Sequence, residues 1–393
     1  MFKFTGGFKS MINCTRRSFL KGGLATLFFS GLPFPGLAES KRKKNIIVIM
    51  LRGGMDGLTA IPVISDPSLN KMRKNIIIDD VLKLNSDFAL HPKLKTFHEL
   101  FQQKKAAFVH ATSIPYTGRS HFEGQDLMET GSLTPYASKT GWLGRGLNLT
   151  NNKLDGLALA LPMPLILRGS PKNNNFYPSN KKIPHNKILS EIKSIYEAKE
   201  ESELARNIDL IINRPISMLV NDTNLQTLSE VAAKTLRANN GPNVAVFDIE
   251  GFDTHSAQGD IEGKHAEHLS EVDSVVGTLQ QYLQDAFDDT LILTVTEFGR
   301  TVGENAGRGT EHGYGSSILM AGGLLKKSQV YTDWPGLNQN NLFEGRDLNS
   351  TIDARSVYAS AMATVFDLDF ELVKKEVFWN EDVKDLSSQL FKS

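Results

Sequence analysis

Five short glycine-rich segments carry the side chains in this sequence that could do chemistry together. They are Arg52-Gly53-Gly54-Met55-Asp56-Gly57, Gly118-Arg119-Ser120-His121-Phe122-Glu123, Gly251-Phe252-Asp253-Thr254-His255, Thr296-Glu297-Phe298-Gly299-Arg300 and Gly309-Thr310-Glu311-His312-Gly313. Carboxylates and neutral imidazoles without thiolate suit Zn, Mn or Fe. Asp56, Asp253, His255, Glu297 and His312 are therefore the candidate metal ligands. A pair of metals about 3.5–4 Å apart could clamp the attacking and leaving oxygens of a phosphoryl-type transfer. A hydroxyl on such a metal loses its proton more readily and becomes a nucleophile. This reading makes Ser120 the candidate nucleophile, His121 a ligand or acid, and Arg119 part of the catalytic group. Arg52 and Arg300 could hold a phosphate or sulfate in a guanidinium fork. Each residue also has a plainer use. Asp56 fits a turn, Glu297 fits an ion pair with Arg300, and the arginines fit ordinary salt bridges. Ser120 with Glu123 three residues on predicts a capping box for a following helix.

Strands and helices must bring these segments to one place. Continuous apolar runs occur at Asn45–Leu51, Ala106–Ala111, Leu157–Leu161, Val244–Ile249, Thr290–Val295 and Ser317–Ala321. Runs of this length read as buried strands of a mostly parallel sheet. Between them lie helical patterns, the clearest over about 264–287, where Leu269, Val272, Val276, Leu279, Leu283 and Phe287 recur at three and four. Alternating strands and helices predict an α/β fold of three layers, helix, sheet, helix. In such sheets ligands bind at the carboxyl ends of the strands. Asp56, Asp253 with His255, and Glu297 each follow a strand, so all should reach one rim. The polar stretch from Gly169 and the charged segment after it read as an insertion or cap at about 169–240 within a single domain over 39–393.

The amino terminus reads as an export signal. Arg16-Arg17 precedes Ser18-Phe19-Leu20-Lys21, an apolar run follows from Gly22 to about Pro35, and Gly36-Leu37-Ala38 offers small residues for cleavage. This pattern predicts a twin-arginine signal over 1–38, with the Tat translocase as partner during export and a periplasmic or secreted product. The apolar run is shorter than a membrane span needs, so no transmembrane span is expected after cleavage. The one cysteine, Cys14, falls inside this signal. Metal binding by sulfur is thus excluded from residues 39–393. Five of the 44 basic residues lie in 1–38, which carry no acid, leaving 39 basic against 44 acidic residues. That balance argues against nucleic acid as a partner.

The motifs LRGGMDG, GRSHFEGQD, TGWLGRGL, FDTH, TEFGRT-x3-N and GTEHG, followed by DARSVY, occur in the order seen in Tat-exported bacterial proteins called domain of unknown function 1501. The resemblance runs from about Asn45 to Leu368. That family is similar in fold to the alkaline phosphatase and sulfatase superfamily. The resemblance implies a central mixed sheet between helical layers with a dinuclear site on its rim. It implies Asp56 as the first-strand ligand, Ser120 as nucleophile, and Asp253, His255, Glu297 and His312 as the remaining ligands. Two departures stand out. Glu297-Phe298 replaces the usual Asp-His pair, and the spacing from Asp253 to His255 is short. Ser113-Ile114-Pro115-Tyr116-Thr117 lacks the arginine that a formylglycine sulfatase needs.

The sequence thus reads as an exported metal-dependent hydrolase or transferase acting on a phosphate or sulfate ester, small-molecule or glycan, with Zn, Mn or Fe as a single ion or a pair. The alternative is a non-catalytic exported protein of the same fold that binds a glycan or a protein partner.

Overall fold

The computed structural model describes residues 43–392, apart from positions 152, 161, 177–185 and 239 and all of 199–223 except Ala205, Ile208 and Ile212. The export signal expected over 1–38 lies outside the described residues. The helices are α1 (Gly57–Ala60), α2 (Pro67–Met72), α3 (Lys95–Gln102), α4 (His121–Thr130), α5 (Trp142–Leu149), α6 (Asn186–Ala198), α7 (Leu225–Arg237), α8 (Lys264–Leu283), α9 (Ala354–Phe366), α10 (Phe370–Phe378) and α11 (Ser387–Leu390). The strands are β1 (Asn45–Leu51), β2 (Leu82–Lys83), β3 (Ala89–Leu90), β4 (Ala106–Ser113), β5 (Gly156–Ala158), β6 (Asn174–Asn175), β7 (Val244–Ile249), β8 (Thr290–Val295), β9 (Ser316–Ala321), β10 (Val330–Tyr331) and β11 (Ile352–Asp353).

One mixed sheet runs in the order β10-β4-β9-β8-β1-β7-β5-β6, with β11 also paired to β4 and a separate β2–β3 hairpin. The pairs of β1 with β7 and β8, and of β5 with β6 and β7, are parallel. Only β9 runs against its neighbours β4 and β8. β1 sits near the middle and is buried along its whole length. Its alternate side chains feed two cores. Ile47, Ile49 and Leu51 face one with α3, α7 and α8, and Ile46, Val48 and Met50 face the other with α5, α9 and α10. Period-two alternation into two apolar layers is why the run is apolar throughout after Asn45. The fold is thus an α/β sandwich of three layers.

The sheet is mostly parallel, and it is mixed, as the resemblance implies, because β9 is reversed. The stretch 169–240, expected as an insertion or cap, also contributes to the main body: β6 adds an edge to the sheet, and α7 buries Leu228, Val231, Ala232, Ala233 and Leu236 in the same core as α8. No helix among the described residues is long and apolar enough to cross a membrane.

Candidate metal centre

The reversed strand shapes the site. β1, β7 and β8 leave the sheet at their carboxyl ends, and β9 enters it at that same edge. The segment before β9 therefore meets the segments after β7 and β8. Glycines permit the close approach. Gly53 has φ +117°, and a Cβ there would lie 2.4 Å from the Asp253 nitrogen. A Cβ on Gly309 would lie 2.4 Å from the His255 carbonyl carbon. Glycine alone tolerates the first of these conformations cheaply.

At this edge three imidazoles converge on one carboxylate. His312 Nε2 lies 3.0 Å from His121 Nε2, 2.9 Å from His255 Nε2 and 3.0 Å from Asp253 Oδ1. His255 Nε2 lies 2.9 Å from Asp253 Oδ1, and His121 Nε2 lies 3.3 Å from Asp253 Oδ2. One donor atom each from His121, Asp253 and His312 falls within 4.8 Å of the other two.

The other ring nitrogen of each histidine is held from behind. His121 Nδ1 is 2.9 Å from Glu297 Oε1, His255 Nδ1 is 2.6 Å from Glu311 Oε2, and His312 Nδ1 is 2.8 Å from the Arg119 carbonyl. Carboxylates and carbonyls accept, so each Nδ1 carries the proton and each neutral ring turns its Nε2 lone pair inward. Three lone pairs and an anionic oxygen packed this closely repel one another unless a positive charge lies among them. The donor set of three imidazoles and one carboxylate suits Zn, Mn or Fe. The residues present therefore fit a cation.

The surroundings shift the ionisable groups of the cluster in both directions. His121 holds a proton more tightly than a free imidazole, through its hydrogen bond to Glu297 first, then the charges of Glu297 and Asp253 against a desolvation penalty. Burial pushes His312 below the usual histidine range. Burial would raise Asp253, but the Arg300 guanidinium outweighs it and the carboxyl is lowered. Glu297 is fully buried, yet its hydrogen bonds with His121, Gln125 and the Gly53 N–H leave it lowered as well.

Several residues singled out in the sequence sit elsewhere than expected. Asp56 does not join the cluster. Its buried carboxylate faces Arg73 at 2.7 and 3.1 Å, caps α1 through the Leu58 and Thr59 N–H groups, and accepts from Thr59 Oγ1 and Gln258 Nε2. With both oxygens taken, none is left for a metal. Glu297 stands behind His121, its Oε1 already accepting from Gly53, His121 and Gln125. Arg300, expected to bind substrate, is buried and donates to Asp253 Oδ1 at 2.7 Å, to both Thr310 oxygens and to the Gly53 carbonyl. Arg52 is spent on Glu129, Asp248 and Gln125. The Arg119 side chain pairs with Asp347 and Glu344, and its main-chain carbonyl is what meets the site. Ser120 is the N-cap of α4, but its hydroxyl makes no cap bond. The Tyr116 hydroxyl replaces the expected capping box, accepting from the Ser120 N–H and donating to Glu123.

Sequence reasoning missed Glu311, Asn305, Gln258, Arg73 and Asp347. Asn305 donates to Glu311 and to the His255 carbonyl. The first two stood inside quoted motifs; a search for acceptors behind each histidine could have found Glu311, and Asn305 follows as the donor that holds it. Arg73 and Asp347 lie in segments with no motif.

No curated protein matches the chain. Solved structures resemble it at low identity, three of them as follows. Ps i-CgsB in complex with k-i-k-neocarrahexaose shares 13% identity over 88% of this chain and 76% of its own, with a TM-score of 0.44. The PsFucS1 sulfatase from Pseudoalteromonas sp. shares 13% over 96% and 77%, at 0.43. The phosphonate monoester hydrolase of Agrobacterium radiobacter shares 11% over 83% and 74%, at 0.40. Over residues 215–377 the chain matches the family described as "Protein of unknown function (DUF1501)", the family that its ordered motifs resemble.

Proposed function

We propose that this protein is an exported hydrolase or transferase of phosphate or sulfate esters, dependent on one divalent cation held by His121, His255, His312 and Asp253. The observation that carries the reading is the inward convergence of three Nε2 lone pairs, each fixed by an acceptor on Nδ1. One cation is favoured over two because Asp56 is tied to Arg73 and Glu297 is committed to His121. The cation is Zn, Mn or Fe. When bound it supplies Lewis-acid polarisation of an ester oxygen. The chain's own residues do the rest. Glu297, Glu311 and the Arg119 carbonyl fix the three rings. Arg300 holds Asp253 in place. The Ser120 hydroxyl makes no cap bond to its helix and stands beside His121 at the start of α4, where the helix dipole favours developing negative charge. Its hydroxyl is the candidate nucleophile. The Oγ–P or Oγ–S bond would form as the ester bond breaks, with the Ser120 hydroxyl proton passing to the leaving oxygen; water in a hydrolase, or a second alcohol in a transferase, would then take the group from Oγ and return a proton to it. Export by the Tat route to the periplasm belongs to the same proposal.

The test is elemental mass spectrometry on protein purified without chelator, beside the His312→Ala and Asp253→Asn variants. About one equivalent of metal, lost in both variants, supports the reading and directs screening with phosphate and sulfate esters. No stoichiometric metal, even after reconstitution, overturns it. A second reading, cation-dependent binding without catalysis, is favoured by one observation. Arg52, Arg119 and Arg300 are all spent on carboxylates, so none of the three is set aside for an anionic ester. Metal-loaded protein that turns over no ester across such a screen would select it.

A further inference from the structure

Each imidazole of the centre is backed by an acceptor, but the backing of His312 differs from the other two. His121 and His255 lean on carboxylates directly. His312 leans on a main-chain carbonyl, and the residue that offers it, Arg119, has φ +58°. A residue with a side chain is strained in the left-handed region, so something must hold Arg119 there. Two carboxylates hold its side chain: Glu344, which is exposed, at 2.6 Å from Nη2, and Asp347, whose side chain is fully buried and which is therefore the better shielded clamp. Asp347 Oδ2 accepts from Arg119 Nε at 3.2 Å and Nη2 at 2.7 Å. Its Oδ1 accepts from Arg346 Nε at 2.8 Å, and Arg346 Nη2 donates to the His312 carbonyl at 2.7 Å. The loop beneath is tied by reciprocal backbone bonds between Phe343 and Asp347 of 2.9 and 3.0 Å, and an isolated bridge joins Asp347 to Thr301, next to Arg300.

One buried carboxylate thus grips His312 at two points. Through Arg119 it aims the carbonyl that fixes the ring's tautomer and direction. Through Arg346 it restrains the backbone. We infer that Asp347 is a positioning residue of the cation centre, acting on His312 through the Arg119 carbonyl and Arg346. All three imidazoles are then braced by an acid: Glu297 for His121, Glu311 for His255 and Asp347, one residue removed, for His312. The inference rests on the proposed cation site.

The experiment measures Zn(II) affinity of the full chain by chelator competition, with the visible spectrum of bound Co(II) as a geometric readout. The variants are Asp347→Asn, Arg119→Gly and the double variant, beside the parent and His312→Ala. Asp347→Asn should weaken Zn(II) binding about 10–100-fold, the usual loss when an outer-shell partner of a metal ligand is removed, and change the Co(II) spectrum with the circular dichroism of the metal-free protein preserved. Glycine holds the left-handed conformation without a clamp. Arg119→Gly alone should therefore lose less than about tenfold, and adding it to Asp347→Asn should restore part of the loss. A general loss of packing would not be rescued by a second truncation. Parent protein that binds Zn(II), with Asp347→Asn binding equally tightly and giving the same spectrum, overturns the inference and leaves the cation site standing. Parent protein that binds no better than His312→Ala overturns both. If Asp347→Asn does not fold, Arg346→Gln takes its place, and unchanged Zn(II) affinity in that variant overturns the inference.

Discussion

Asp56 is the residue on which sequence and structure differ most, and replacing it separates the two. Its carboxylate is 1% exposed and takes two bonds from Arg73, two from backbone N–H groups and one each from Thr59 Oγ1 and Gln258. Asp56→Asn keeps the shape and removes the charge. It leaves the Arg73 guanidinium, itself 1% exposed, without a counter-ion. Breaking a buried pair on one side costs about 3–5 kcal/mol. A folded body of about 350 residues has an unfolding entropy near 0.7 kcal/mol/K at about 2.1 cal/mol/K per residue. The Tm should therefore fall by about 4–7 °C. The assay is thermal unfolding followed by circular dichroism, with bound Zn(II) counted on the same samples after equilibrium dialysis. The expected result is a lower Tm with the cation still bound. An unchanged Tm with the cation lost would show that Asp56 is a ligand and that its engagement with Arg73 gives way to a metal. That outcome would refute the reasoning.

Three further outcomes follow from the geometry. Gly53→Ala forces a Cβ to within 2.4 Å of the Asp253 nitrogen at φ +117°. It should cost at least about 2 kcal/mol in urea unfolding and weaken Zn(II) binding, because Asp253 must move; wild-type values for both would contradict the packing. Burial separates the two direct braces: Glu297 is fully buried, whereas Glu311 is nearly half exposed. Glu297→Gln should therefore lose Zn(II) affinity nearer 100-fold and Glu311→Gln nearer tenfold, and equal losses in chelator competition would count against this ranking. Acid stability should depend on two histidines away from the cluster. Desolvation pushes His110 down to about 4 and His265 down to about 3. Both are lowered bases, so the unfolded chain takes the proton first, and stability present above about pH 6.5 is lost as pH falls toward 4, by roughly 1.4 kcal/mol per unit for each group. Neither ring nitrogen of His265 has a hydrogen-bond partner. His265→Phe should then be neutral or stabilising at pH 7 and should flatten the slope of urea stability between pH 7 and 5; an undiminished slope would show that His265 is not one of the groups responsible.

Much of the framework was legible because a strand buried on both faces writes itself as a mostly apolar run. Asn45–Leu51, Val244–Ile249 and Thr290–Val295 have the same bounds in sequence and structure. Strand direction leaves no such mark. Ser316–Ala321 is as apolar as its neighbours, and nothing in the residues says that it runs backward. Its reversal brings His312 to the rim on the way into the sheet, where the others arrive on the way out. The types of residue at the centre were legible for the same reason that their roles were not. A carboxylate in a glycine-rich turn after a strand looks alike whether it faces a cluster of imidazoles, as Asp253 does, stands behind a single one, as Glu297 does, or neutralises a buried arginine, as Asp56 does. The choice among these depends on the partner, and the sequence does not mark the partner: His121 lies 176 residues from Glu297, and Arg73, 17 residues from Asp56, stands in a segment with no motif.

The arginines follow the same logic. Next to a motif they suggest an anion to be bound, yet the fold supplies the anions itself: Asp253 for Arg300, Asp347 for Arg119, Glu129 and Asp248 for Arg52. Acidic groups brought together to orient imidazoles repel one another at this rim, and buried guanidiniums are what allow them to remain ionised. Arg300 lowers Asp253, and Arg73 lowers Asp56 against the opposing effect of burial. A carboxylate kept ionised without a metal is ready to receive one. Removing Arg300 should therefore impair the centre by letting Asp253 move and take up a proton, and not by depriving a substrate of its partner.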